Sequence, residues 1–263
     1  MRGRISLKRR IGQLYAFMHA RDAHRKIILL YHSVGGGAES TATDAFRDHL
    51  DLIARTAQFL ALRNIVESSP DRGIAVAITF DDGYATLRDR ASAILTDFGG
   101  AATAFLNVSE IADEERRSSR AEDGYYPGEQ FLTWRDMDAL LAAGWHIGSH
   151  GVRHLDLVRA DDATARNELS ASKLIIERRL GTPCDMFAYP WGRNNPGLRA
   201  EARAAGYRYG FAGNHSRLTA KCDPSALPRI NVAKDYSRDD LVAILRGDWD
   251  YLYWVARAKA VME

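Results

Sequence analysis

The chain reads as one α/β domain built on a mostly parallel sheet. Three observations predict this: apolar strand-length runs alternate with helical stripes, polar residues cluster just after the strands, and composition does not break along the chain. Its 263 residues suit one large domain or two small ones, and a hydrophobic fraction of 46% with 27% charged residues is an ordinary globular balance.

The elements follow in order. Residues 27–31, Ile-Ile-Leu-Leu-Tyr, form a buried strand that ends at His32, Ser33 and a triple glycine. Phe46, Leu50, Ile53 and Ala57 mark a helical stripe over 43–61. Residues 74–80 are continuously apolar, as strands covered on both faces are. A helix over 85–98 stops at Gly99-Gly100, and 101–108 is the next strand. Residues 109–132 are polar and charged, a loop long enough to suggest function. Thr133 and Asp136 form a capping-box pattern for a helix with Met137, Leu140 and Leu141 as its buried stripe. Strands at 145–149, 186–189, 207–212 and 227–232 alternate with helices at 161–180, 196–205 and 238–259.

Bulk properties exclude some function classes. A net charge of +2 is too small to argue for nucleic acid. Cys184 and Cys222 are too few for a disulfide framework or a thiolate zinc site, and read as reduced thiols. No run reaches the roughly 18 apolar residues of a spanning helix. Residues 1–26 form a basic leader with no signal-peptide core, so the expected location is cytoplasmic, and 27–263 form the main domain. Arg2, Arg4, Lys8, Arg9 and Arg10, followed by Ile11, Leu14, Tyr15, Phe17 and Met18, could rest on a membrane as a peripheral contact. The competing reading is a solvated helix packed on the domain.

Two strand ends carry chemistry. Asp81-Asp82 follows the strand 74–80, and Gly83 permits a tight turn, so one carboxylate could hold a metal while its neighbour acts as base. The plain alternative is a turn with Asp82 as a helix N-cap. His150 and His154 follow another strand, and a spacing of four brings both rings to one side of a helical turn, a common metal pair. They could equally be surface or capping histidines. Together, one carboxylate and two imidazoles make an open set of three ligands for a divalent metal such as zinc, with a place left for water, whose pKa such a metal lowers toward about 7. A second carboxylate that does not ligate can take the proton, and Asp81 is placed for that role.

Here a resemblance becomes specific. Thr79-Phe80-Asp81-Asp82-Gly83-Tyr84 resembles the first signature of the polysaccharide deacetylase (NodB-homology) family, and Ser149-His150 with His154 its second. Phe187-Ala188-Tyr189-Pro190-Trp191-Gly192 is similar to its third. Order and spacing match over about 27–233. The resemblance implies a distorted (β/α)7 barrel and hydrolysis of N-acetyl groups on a saccharide. It makes Asp81 the general base, Asp82, His150 and His154 the ligands of one divalent ion, and the Tyr189 backbone N–H a donor to the developing oxyanion. Many members carry an Arg where this chain has Ala188; Arg229 is the candidate to orient the base, unless it is a surface Arg at a strand edge. The late Leu-x-His signature is absent. Leu30-Tyr31-His32-Ser33 resembles the motif of the circularly permuted branch, which includes poly-N-acetylglucosamine deacetylases and takes its acid from the first strand. His32 is then the general acid, and His215 the next candidate.

Two other classes compete: an amidohydrolase acting on small cyclic amides, which typically lacks the metal triad, and a sugar-binding protein without catalysis, which would lack the base or a ligand. Trp191, Trp134 and Tyr126 could stack on sugar rings or sit in the core. The aromatic segment 249–255 could pack on the barrel, pair with a second copy, or meet a membrane.

Overall fold

The computed structural model describes residues 2–18, 24–68 and 73–255. The strands are β1 (Arg25–Tyr31), β2 (Gln58–Phe59), β3 (Ile74–Phe80), β4 (Thr103–Leu106), β5 (His146–Ser149), β6 (Met186–Ala188), β7 (Tyr209–Phe211) and β8 (Ile230–Asn231). The helices are α1 (Arg2–Met18), α2 (Thr43–Thr56), α3 (Leu62–Glu67), α4 (Ser92–Asp97), α5 (Trp134–Ala142), α6 (Asp162–Leu180), α7 (Pro196–Ala204) and α8 (Arg238–Arg246).

All strand pairs are parallel, in the order β7-β6-β5-β4-β3-β1-β8, with β2 pairing β3 beside this path. The curled sheet comes close to closing. Leu227 bridges Phe211 of β7, and a few residues on, Ile230 and Asn231 pair with Leu29 and Leu30 of β1. One short segment thus spans the gap, giving the distorted (β/α)7 barrel that the family resemblance implies.

Strand parity decides which residues meet inside, because successive side chains point to opposite faces. Ile27, Leu29 and Tyr31 join the core under the helices, while Ile28 joins the barrel interior with Ala75, Ala77, Phe105, Met186, Ala188 and Phe211. Leu62 and Ile65 of α3 pack on that inner cluster. Leu30 has the inward parity of Ile28 but lies further along the strand, and lines a cleft there. The apolar inner layer therefore forms the floor of a polar site at the strand ends.

Several boundaries differ from the sequence reading. The helix expected over 43–61 stops at Thr56, because 58–59 pairs with β3; α3 then follows, which the periodicity does not show. The helix after Gly83 opens with a π-turn over Leu87–Ala91 before α4. The Thr133–Asp136 capping box forms at α5 as expected. The last helix is shorter than expected, since Gly247 at φ 86° closes α8 in a left-handed cap, a turn follows over 247–250, and helix resumes at 251. The part expected over 256–259 lies outside the described residues. Both cysteines are free thiols.

Candidate active site

The site is a cleft of about 250 Å³ lined by His32, Asp81, Asp82, Tyr126, His150, His154 and Trp191, among others. Parity again explains its membership. Asp81 continues the inward series Ala75, Ala77, Thr79; His150 continues from Gly148; His32 continues from Ile28 and Leu30; Arg229 and Asn231 continue from Leu227.

Asp82 would point the other way if the chain stayed extended. It is turned by a φ of 71°, in the left-handed region that costs a non-glycine residue. His154 (φ 56°) and Trp191 (φ 59°) share this feature, and among the described residues these three are the only non-glycine positions with positive φ. All three face the one cleft. Strain of this kind, of order 1–3 kcal/mol per residue, clusters where surrounding structure holds a site in place.

Asp82, His150 and His154 are buried, and one ligand atom from each lies within 4.8 Å of the others. Asp82 Oδ1 is 3.7 Å from His150 Nε2 and 3.6 Å from His154 Nε2. The histidine pair does not share a helical turn as the spacing suggests. It sits in the loop after β5, where Gly151 (φ 90°) and then His154 reverse the chain. His150 Nδ1–H donates to the Ala188 carbonyl at 2.7 Å, which orients the lone pair of Nε2 toward Asp82. Burial pushes His150 down to about 3, so its imidazole is neutral at ordinary pH. His154 is also lowered by burial. Burial pushes Asp82 up to about 6, with His32 opposing the rise and Asp81 adding to it. Two neutral imidazoles beside a carboxylate deprived of water are the donor set a divalent cation prefers.

Asp81 is treated differently. Burial works to raise its carboxyl, but the guanidinium of Arg229, with His150 and His32 adding to it, holds it below the usual range. Arg229 is not a surface residue at a strand edge: it is fully buried. It donates to both Asp81 oxygens at 2.6 and 2.7 Å, and to Thr79 Oγ1 at 3.3 Å.

The Tyr189 assignment needs correction. Its N–H donates to the Phe211 carbonyl at 3.0 Å, a sheet bond between β6 and β7, so it has no proton for an oxyanion. Its ring has the outward parity, is buried, and bonds Ser225 O through its hydroxyl. The next residues, Trp191 and Gly192, line the cleft instead. Other aromatics sort similarly. Tyr126 lies against the His32 ring at 5.3 Å, and Trp191 against His154 at 4.9 Å, whereas Trp134 packs in the core under Arg179. His215 does not line the cleft; burial lowers it to about 4, with Asp250, Lys8 and Arg25 as its charged neighbours.

Sequence reasoning missed Asn107, whose Nδ2 donates to Asp82 Oδ1 at 3.3 Å, and Tyr125, stacked on His154 at 5.2 Å. Asn107 was findable as the inward polar residue just past Phe105. It also missed Glu129. This buried carboxylate accepts from Ser33 Oγ at 2.9 Å and from Gly37 N–H at 2.7 Å, tying the loop after His32 to the loop that carries Tyr126. A side chain at Gly36 would collide with that carboxylate, which accounts for the bare backbone there.

Comparison with known proteins agrees with this geometry. The polysaccharide deacetylase family model matches residues 68–210, just over half of the chain. The chain belongs to that family, and so is a deacetylase of carbohydrates. It is 24% identical over 217 residues to YxkH of Bacillus subtilis (strain 168), a protein named for the same family, covering 80% of this chain and 72% of that one. It is 23% identical over 170 residues to the poly-beta-1,6-N-acetyl-D-glucosamine N-deacetylase of Staphylococcus aureus, covering 61% of this chain and 55% of that protein. Among solved structures, the fold matches the Streptococcus pyogenes deacetylase PplD with a TM-score of 0.71 at 22% identity, over 85% of this chain and 99% of that one. It also matches IcaB from Ammonifex degensii with a TM-score of 0.70 at 19% identity, over 86% and 98%.

Proposed function

We propose that the protein removes N-acetyl groups from an amino sugar or glycan, using a divalent cation, of which zinc fits the donors best, held by Asp82, His150 and His154. The observation that carries this is the convergence of one buried carboxylate oxygen and two neutral imidazole nitrogens within 4.8 Å, next to a carboxylate kept ionised by an arginine fork. A cation bound there supplies Lewis-acid polarisation of the acetyl carbonyl and a lowered pKa for the attacking water.

The chain's own groups then divide the work. Asp81 takes the proton of the water that adds to the acetyl carbon. Its pairing with Arg229 keeps the carboxylate ionised and fixes the direction of its free lone pairs. Negative charge grows on the acetyl oxygen. Within 189–192, the Tyr189 N–H bonds Phe211 and the Gly192 N–H bonds Tyr189, while Pro190 has none, which leaves the Trp191 N–H to meet that charge. His32, at the end of β1 and in the same cleft, delivers a proton to the leaving nitrogen as the C–N bond breaks. Acetate and a free amine are the products. Trp191, half exposed, offers an apolar face for a sugar ring.

The assembled triad argues against the cyclic-amide reading, which does without the metal. The presence of both base and ligands argues against mere sugar binding. Metal content of the purified protein, with acetate release from N-acetylated oligosaccharides before and after chelation, tests the proposal. Full activity in metal-free protein overturns it.

A further inference from the structure

α1 is amphipathic in the reverse of the usual sense. The side turned to the body of the protein carries charge: Arg9 pairs with Asp240 at 2.7 Å, and Lys8 donates to Tyr236 Oη at 3.0 Å. Gly12 sits against Trp249, where a side chain would collide with the indole, and Tyr15 meets the ring of Tyr251. The side turned away carries Leu7, Ile11, Leu14 and Met18, all exposed, with Phe17 beside them 90% exposed. Positions 7, 11, 14 and 18 fall within roughly 60° of the helix circumference, so these side chains form one continuous stripe. The helix is therefore fastened by its polar side, and its apolar side has no partner among the described residues.

Charge selects the occupant. Arg10, exposed, flanks the stripe, and the sequence has no acidic residue before Asp22. A second copy laid on the stripe would set two such basic helices against each other with no counter-charge. An anionic lipid surface accepts both features at once: the apolar stripe sinks into the acyl boundary while Arg10 meets the headgroups. We infer that α1 is a docking helix for anionic membranes. Lys8 and Arg9 hold it to Tyr236, Ser237 and Asp240, in the segment that follows cleft-lining Asn231, so docking would hold the deacetylase against a lipid surface. The inference does not depend on the proposed chemistry.

Vesicle sedimentation of the full chain tests it. The protein should pellet with vesicles in which about a third of the lipid is phosphatidylglycerol, and remain in solution with phosphatidylcholine alone. The double variant Leu14→Gln/Phe17→Ser removes two exposed side chains, so it should fold and deacetylate a soluble substrate like the parent. Its partitioning should fall at least about tenfold. Absence of binding to either vesicle overturns the inference, as does a variant that binds as well as the parent. A dimer in sedimentation velocity that this variant dissociates, without vesicle binding, assigns the stripe to a second copy and overturns it too.

Discussion

Arg229 grips both oxygens of Asp81, at 2.6 and 2.7 Å, from the segment that brings the sheet nearest to closure. The family position that often holds a base-orienting arginine is Ala188 here. Its carbonyl accepts from His150, and its side chain belongs to the barrel's inner cluster. The guanidinium thus reaches the base from a different strand. Removing it leaves a buried carboxylate unpaired, so Arg229→Met should cost about 3–5 kcal/mol of stability. Arg229→Lys should fold better but turn over slowly, because a point charge cannot fork. Thermal unfolding and kcat separate these outcomes; a parent-like Arg229→Met would show that the pair does not hold the base.

Asp81→Asn should keep its metal and lose about 10²–10⁴ in turnover, since the amide cannot take a proton. Metal analysis alongside kcat is the check. Loss of the ion would mean that Asp81 is itself a ligand.

His150→Ala or His154→Ala should lose bound metal and activity while the circular dichroism spectrum stays that of the folded protein. His150 should matter doubly, because its ring also satisfies the Ala188 carbonyl. A metal-replete His150→Ala would contradict the assigned ligand set.

His32→Ala should retain metal and lower turnover on N-acetyl sugars by about 10²–10⁴. Aryl acetates, whose leaving groups need no proton, should be hurt much less. Equal losses on both substrate types would remove His32 from the acid role.

Glu129→Ala should leave the part-buried Gly37 N–H without its acceptor and the buried Ser33 hydroxyl with only Thr86 Oγ1 as a side-chain partner, a destabilisation of about 1–3 kcal/mol. Hydrogen exchange should accelerate over 33–41 and kcat should fall, with metal content unchanged. Unaltered exchange in that loop would deny Glu129 its positioning role.

The repeating strand–helix pattern, the two motifs at strand ends and the strand parity are local properties of the chain. Inward parity alone places Asp81, His150 and His32 on the barrel's inner face, and for that reason the fold class and the general position of the candidate site are legible in the amino-acid sequence itself. What tertiary structure alone decided is how distant segments converge. Asp82 and His154 reach the cleft through left-handed backbone at non-glycine residues, a conformation that local propensity disfavours and only the surrounding packing sustains. The Tyr189 N–H escapes sequence reasoning because its bond to Phe211 depends on which strand lies alongside. Glu129 reads as one charge in a polar loop, and only the fold sets Ser33 and Gly37 against it. The outward turn of the apolar side of α1 is likewise invisible in its periodicity, because periodicity reports that a helix has two sides, and only packing determines which one faces the protein.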